Sequence, residues 1–334
     1  MWFEKLSGFR EQSPQQVREN MSVNEEILQS HINGKKMVHG ALETPSLAEL
    51  RQRIHSKKPP PGKITLREVI GDVQELHLNK SNAGVLFQVA SQFNLLEMIS
   101  PDVTPEHGVD DYEYDLTQGP ACAVAAGAGT IYRNYFAKVN GKIGQSVANQ
   151  IDCLADIGNA LGNTNNRLWE MKNGYALASE FGLIEITKRL ESSTESEIDE
   201  LRQLLRIGIQ WNTEVTLSIS RHTVSQAYCS ALPVGYSELP SKLWDPFARL
   251  VLEASYEAAM CAGILNSLSN GNNKIYLTLI GGGAFGNEDD WIISAVKRAL
   301  NCYRQDFDLD VGIVSYDSSK ESVQKLVHRL SPQR

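Results

Sequence analysis

The sequence predicts an α/β fold, and three observations carry that prediction. Short apolar, β-branched runs that suit buried strands recur along the chain, as in Ile275-Tyr276-Leu277-Thr278-Leu279-Ile280. Amphipathic stretches at helical spacing lie between them, such as Val147, Ile151, Leu154, Ile157 and Leu161. The two kinds of segment alternate, which argues for a layered α/β sandwich around one core. A chain of 334 residues that is 42% hydrophobic can bury a core of that size, as one large domain or two ordinary ones.

Taken in order, residues 1–63 are polar and charged and read as a mostly helical extension. Ser46 can cap a short helix there, with Glu49 three residues on. The run Lys57-Lys58-Pro59-Pro60-Pro61-Gly62-Lys63 reads as a stiff linker. The folded core then spans 64–334. Ile64 to Ile70 and Gly84 to Ala90 read as strands, the second more buried. A dense acidic loop, with Asp102, Glu106, Asp110, Asp111, Glu113 and Asp115, precedes Gln118-Gly119-Pro120 and a helix rich in small residues. Asn173-Gly174 marks a hairpin or turn. Thr194 to Leu205 is an amphipathic helix, Ile207–Trp211 and Glu214–Ile219 read as strands, and Pro246 to Leu268 is a long helix. A strand from Leu309 to Tyr316 and a helix from Ser319 to Leu330 close the chain.

A formal charge of −8 and a pI near 5.5 argue against a general nucleic-acid or anionic-membrane binder. No apolar run approaches a membrane span, and Met1-Trp2-Phe3-Glu4-Lys5 lacks the apolar core of a signal peptide. Five scattered cysteines indicate neither a zinc site nor a disulfide framework. A cytoplasmic protein is expected, with the nucleus as a second compartment.

The stretch around which the chain is organised follows Ile280. Gly281-Gly282-Gly283-Ala284-Phe285-Gly286-Asn287 joins a strand to a helix that begins near Trp291. It reads either as a tight turn or as a loop of amides that cradles an anion ahead of a helix N-terminus. It matches neither a Walker A loop nor GxGxxG. His107 and His222 have no matching Ser or Cys constellation, so a nucleophilic triad is not expected.

Set beside Val69-Ile70-Gly71-Asp72-Val73, Phe87 to Asn94, Asn173 to Ala178 and Val314 to Asp317, this loop makes the chain resemble the macrodomain family of ADP-ribose-binding modules. The resemblance covers roughly 64 to 330, and Thr117-Gln118-Gly119-Pro120-Ala121-Cys122 looks like the divergent MavL-type macrodomains, ADP-ribosyl hydrolases that act on ADP-ribosylated ubiquitin. The family's usual glycine run after the second strand and the tandem glutamates of poly-ADP-ribose glycohydrolases are absent.

The resemblance implies a three-layer α/β/α fold with a mixed central sheet. It implies that Asp72 and Val73 meet the adenine, that Gly282, Gly283, Ala284, Phe285, Gly286 and Asn287 hold the diphosphate through backbone amides, with the Phe285 ring over the ribose or adenine face or in the core, that Gln92 and Asn94 approach the distal ribose, and that Gln118, Gly119 and Gly281 also contact ADP-ribose. Hydrolysis there passes through an oxocarbenium-like state that needs a carboxylate. Asp110, Asp111 and Asp115 are the expected catalytic acids, with Glu106 behind them and no metal or cofactor. The implied activity is release of ADP-ribose from mono-ADP-ribosylated protein, arginine-linked ubiquitin being one candidate. A non-catalytic ADP-ribose reader is the alternative.

Overall fold

The computed structural model describes residues 1–57 and 61–330. The proline-rich linker expected at 57–63 falls in part on 58–60, outside the described residues. A seven-stranded sheet runs in the order Ala41–Glu43, Gly208–Glu214, Thr223–Cys229, Leu86–Ala90, Lys274–Thr278, Asp310–Ser315, Thr65–Ile70. The last five are mutually parallel, and Gly208–Glu214 is antiparallel to both of its neighbours. The sheet is therefore mixed, as expected.

Alternation along the strands sends side chains to two helical layers. On one face, Phe87 stacks on His77 at 3.8 Å between ring centroids, and Gln226 donates to the Cys122 carbonyl. Helices Val73–Leu78, Gln118–Ala125 and Gly127–Tyr135 cover that face. On the other, Ser225 and Cys229 bond to Asn266 and Ser255 of the long helix Ser241–Asn270. A Cβ at Gly263 of that helix would stand 2.9 Å from Ile275, so helix and sheet approach closely there.

The strand Thr223–Cys229 lies in the middle of the sheet, yet its apolar run is broken by Ser225 and Gln226. Both are fully buried and hydrogen-bonded, Ser225 to Asn266 and Gln226 to Cys122 and His77. A second strand expected at Glu214–Ile219 is instead a turn, because Gly208–Glu214 continues through a register shift between Gln210 and Thr213 and ends there. The helix expected from Gln145 is confined to Ala155–Leu161. Ahead of it, Gln145 holds an irregular segment, donating to the Asn94 and Arg133 carbonyls and accepting from the Ile151 amide.

The division expected at residue 63 does not separate an extension from the core. Ala41–Glu43 is an edge strand of the central sheet, and Leu47, Leu50 and Ile54 of helix Leu47–Lys57 are buried in the main core. Ser46 and Glu49 form the predicted reciprocal cap. Earlier still, Trp2, Phe3, Val17, Met21 and Leu28 form a second apolar cluster with Leu96, Met98, Val109, Tyr112 and Tyr135. That segment carries three short strands as well as helices, so it is not mostly helical. Among the described residues no helix is long and apolar enough to cross a membrane.

Candidate functional site

A cleft with a cavity volume of about 150 Å³ opens at the carboxyl ends of Leu86–Ala90, Thr223–Cys229 and Lys274–Thr278. Parallel strands place ligand sites there because the loops after them converge at one rim. The floor is made of small residues, Ala90, Ser91, Cys229 and Ala231.

One wall is the glycine loop. Gly281 has φ +78°, and a Cβ there would lie 2.6 Å from Ala231, so only glycine fits. Gly286, also at positive φ, donates to the Gly283 carbonyl at 2.9 Å, and the Asn287 amide donates to the Gly281 carbonyl at 2.9 Å. Asn287 Nδ2 ties the loop to the Leu232 carbonyl at 2.8 Å. Among the described residues, the amides of Gly281, Gly283, Ala284 and Phe285 have no acceptor, and all four residues line the cleft. Gln118 and Gly119, which line the same cleft, open helix Gln118–Ala125, and their amides likewise have no acceptor among the described residues. The Gln118 Nε2 is buried without a partner. No lysine or arginine is among the described residues lining the cleft. An anion held here is held by amides.

A second wall is aromatic. Tyr175, Tyr236 and Phe285 pack with ring centroids 5.1 to 5.5 Å apart. The tight turn Asn173-Gly174, both at positive φ, places Tyr175, whose hydroxyl donates to the Met98 carbonyl.

The remaining wall carries two carboxyl groups, Glu97 and Asp115. Asp115 accepts from the Thr117 amide at 2.8 Å, which sets the turn into the helix. Glu97 is 6% exposed. Burial pushes its carboxyl well above the usual carboxylate range; the buried Arg133 guanidinium works against that and the Asp115 charge adds to it. Arg133 is fully buried and held by the Leu95 carbonyl, the Tyr228 hydroxyl and Thr130, without a carboxylate in ion-pair contact among the described residues. A Cβ at Gly119 would stand 2.3 Å from Glu97 Oε2, so glycine at that position gives the carboxyl its place.

Of the residues expected from sequence, Gln92, Asp115, Gln118, Gly119, Gly281, Gly283, Ala284 and Phe285 line this one cleft. Gly282, Gly286 and Asn287 shape the loop behind its surface. Gln92 spends its amide on the Met98 backbone, and fully buried Asn94 spends its own on the Leu96 amide and Gln150. Asp72 is exposed and caps helix Val73–Leu78 by accepting from the Gln74 amide at 2.7 Å, while Val73 is buried; neither lines the cleft. Asp110, Asp111 and Glu106 also lie outside it. Asp110 is buried near the N-terminal segment, Asp111 is exposed, and Glu106 accepts from the Val147 amide at 2.9 Å. Sequence reasoning did not single out Glu97, Tyr175 or Tyr236. The available signal for Glu97 was an acid enclosed by Leu95, Leu96 and Met98 just after a buried strand.

No protein-family model matches the chain, and no curated protein matches it in sequence. Similar solved structures include poly(ADP-ribose) glycohydrolase from Thermomonospora curvata, at 9% identity over 95% of this chain and 96% of that one, with a TM-score of 0.43. Poly(ADP-ribose) glycohydrolase from Deinococcus radiodurans, crystallised in complex with ADP-ribose, is similar at 9% identity over 87% of this chain and 94% of that one, with a TM-score of 0.47. The roles of the cleft residues rest on their own geometry.

Proposed function

We propose that the cleft binds ADP-ribose and that the protein releases ADP-ribose from mono-ADP-ribosylated protein. The observation that carries this reading is the pairing of two sets of free amides with a buried carboxyl in one cleft. The amides of Gly281, Gly283, Ala284 and Phe285 and of Gln118 and Gly119 suit the two phosphates of a diphosphate, and the aromatic wall suits a flat or apolar group beside them. Glu97, whose carboxyl burial pushes well above the usual carboxylate range, is the general acid; Asp115 is the base.

In this mechanism the bond from the anomeric carbon of the distal ribose to the leaving atom breaks as Glu97 donates its proton to that atom. Asp115 stabilises the oxocarbenium-like centre and takes a proton from the attacking water, whose oxygen completes ADP-ribose. Glu97 and Asp115 take the catalytic roles that the sequence assigned to Asp110, Asp111, Asp115 and Glu106. The protein substrate in this reading is ubiquitin modified on arginine, and the compartment is the cytoplasm.

The test is incubation with arginine-linked and serine-linked ADP-ribosyl ubiquitin, followed by intact-mass measurement. Loss of the ADP-ribose mass from either supports hydrolysis, and its loss from the arginine-linked form alone supports the finer reading. Binding of ADP-ribose without release from either form leaves a reader.

A further inference from the structure

The segment at the start of the chain reaches the back of the cleft, and one of its carboxylates makes a connection that packing alone does not require. Glu11 Oε2 accepts hydrogen bonds from the amides of Val109 at 2.8 Å and Asp110 at 2.7 Å. Its Oε1 accepts from the Tyr135 hydroxyl at 2.5 Å. Gly108, at φ +91°, makes room for this, since a Cβ there would stand 2.3 Å from Glu11 Oε2. The two amides begin the short helix Asp110–Tyr114, and Asp115 follows it directly. Within that helix Tyr112 is buried, and its hydroxyl accepts the Glu97 amide at 2.9 Å. Leu96 and Met98, on either side of Glu97, are buried in the same apolar cluster as Trp2, Phe3, Val109 and Tyr112. Trp2 adds a bond from its indole to the Val109 carbonyl at 3.1 Å.

We propose that Glu11 is a positioning residue for Glu97, acting through the 109–115 loop and Tyr112. This rests on the reading of Glu97 as the acid of the cleft. The titratable groups facing Glu11 are Asp110, Tyr135 and Tyr112, and no cation pairs with it among the described residues. Its partners are therefore the donors of the loop it holds. The loop in turn fixes both carboxyl-bearing segments of the cleft: Tyr112 anchors the Glu97 backbone, and Asp115 leaves the end of the same short helix. Freed from Glu11, amides 109 and 110 have only water to bond, and the loop loses its fixed register against Glu97.

The experiment compares wild type with Glu11→Ala, Glu11→Asp, Glu11→Gln and Tyr112→Phe, reading amide hydrogen exchange together with kcat and KM for ADP-ribose release. Glu11→Ala should speed exchange of the Glu97 amide on the order of tenfold while Phe87 and Val89 in the sheet stay protected. It should lower kcat about tenfold or more with little change in KM, since displaced catalytic groups cost turnover rather than binding. Glu11→Asp, one methylene too short for both amides, should shift in the same direction and serves where the alanine variant does not fold. Tyr112→Phe should release the Glu97 amide with the Glu11 bonds intact. Glu11→Gln keeps the shape and an acceptor, and should restore most of both readouts. Unchanged Glu97 exchange in Glu11→Ala and Glu11→Asp overturns the proposal. A wild-type protein that releases no ADP-ribose overturns the acid role of Glu97 instead, and exchange then still decides whether Glu11 holds the loop.

Discussion

Glu97 and Asp115 both line the cleft but occupy different surroundings, and the proposed division of acid and base between them rests on that difference. Glu97 is buried and feels the charge of the buried Arg133, and Asp115 is partly exposed at a helix start. Glu97→Gln keeps the shape and removes the proton donor. It should lower the rate of ADP-ribose release by about 100-fold or more, the usual contribution of a positioned acid, with ADP-ribose affinity held within a few-fold. Single-turnover mass spectrometry and calorimetry separate the two effects. Because Glu97 must be protonated to act, the wild-type rate should fall as pH rises through its elevated pKa, and that alkaline limb should vanish in the variant. At this scale the sequence was half legible. It showed a cluster of acids at 102–115 but not how each is used, because that depends on partners far along the chain: Glu106 on Val147, and Asp110 beside the first helix. Glu97 carried only the signal of its apolar neighbours Leu95, Leu96 and Met98, since Arg133, Tyr112 and Gly119, which complete its surroundings, lie farther along the chain.

The glycine loop was the most legible element, because its composition answers a local demand. Positive φ at Gly281 and Gly286 and close approach to Ala231 exclude side chains wherever the rest of the chain lies. Gly281→Ala should weaken ADP-ribose binding by about tenfold or more and lower stability by about 1–3 kcal/mol, through strain at φ +78° and the clash with Ala231. Gly283→Ala is the contrast, because a Cβ there meets nothing within 4 Å and φ is not positive, so it should leave stability nearly unchanged. Thermal unfolding with and without ADP-ribose checks both. Strand Thr223–Cys229 shows why other elements were hidden. Its Ser225 and Gln226 look like surface residues until Asn266, His77 and the Cys122 carbonyl are brought beside them by the fold.

Over the whole molecule, buried carboxyl groups act on stability from opposite sides of neutral pH. Arg51, on helix Leu47–Lys57, bonds both Asp199 and Glu257 at 2.6 to 2.9 Å, and Arg298 reaches the same two acids. These contacts are why residues ahead of 64 belong to the core, and they were invisible in a segment whose charges read as solvated. Bonds from Arg51 lower the Asp199 pKa; burial resists the same change at Glu257, but Arg51 and Arg298 outweigh it. Acids with depressed native pKa values stabilise the fold above their unfolded values, and that contribution is lost as pH falls through the native ones. Glu11 works the other way. Burial, against the bonds from Tyr135, Asp110 and Val109, raises its carboxyl from 4.5 to about 7. Between those values the folded state binds more protons than the unfolded, so stability falls as pH rises from 4.5 through about 7, by on the order of 3 kcal/mol in all. Urea unfolding across pH 4 to 8 distinguishes the two. Glu11→Gln should flatten the slope between pH 5 and 7 and leave the acid limb intact. Arg51→Met should cost about 3 kcal/mol at pH 7, because Glu257 stays buried with one fewer partner, and the loss should shrink towards pH 4 as the acids protonate. A slope unchanged in Glu11→Gln would mean that Glu11 is already ionised across this range, held so by the amides of Val109 and Asp110.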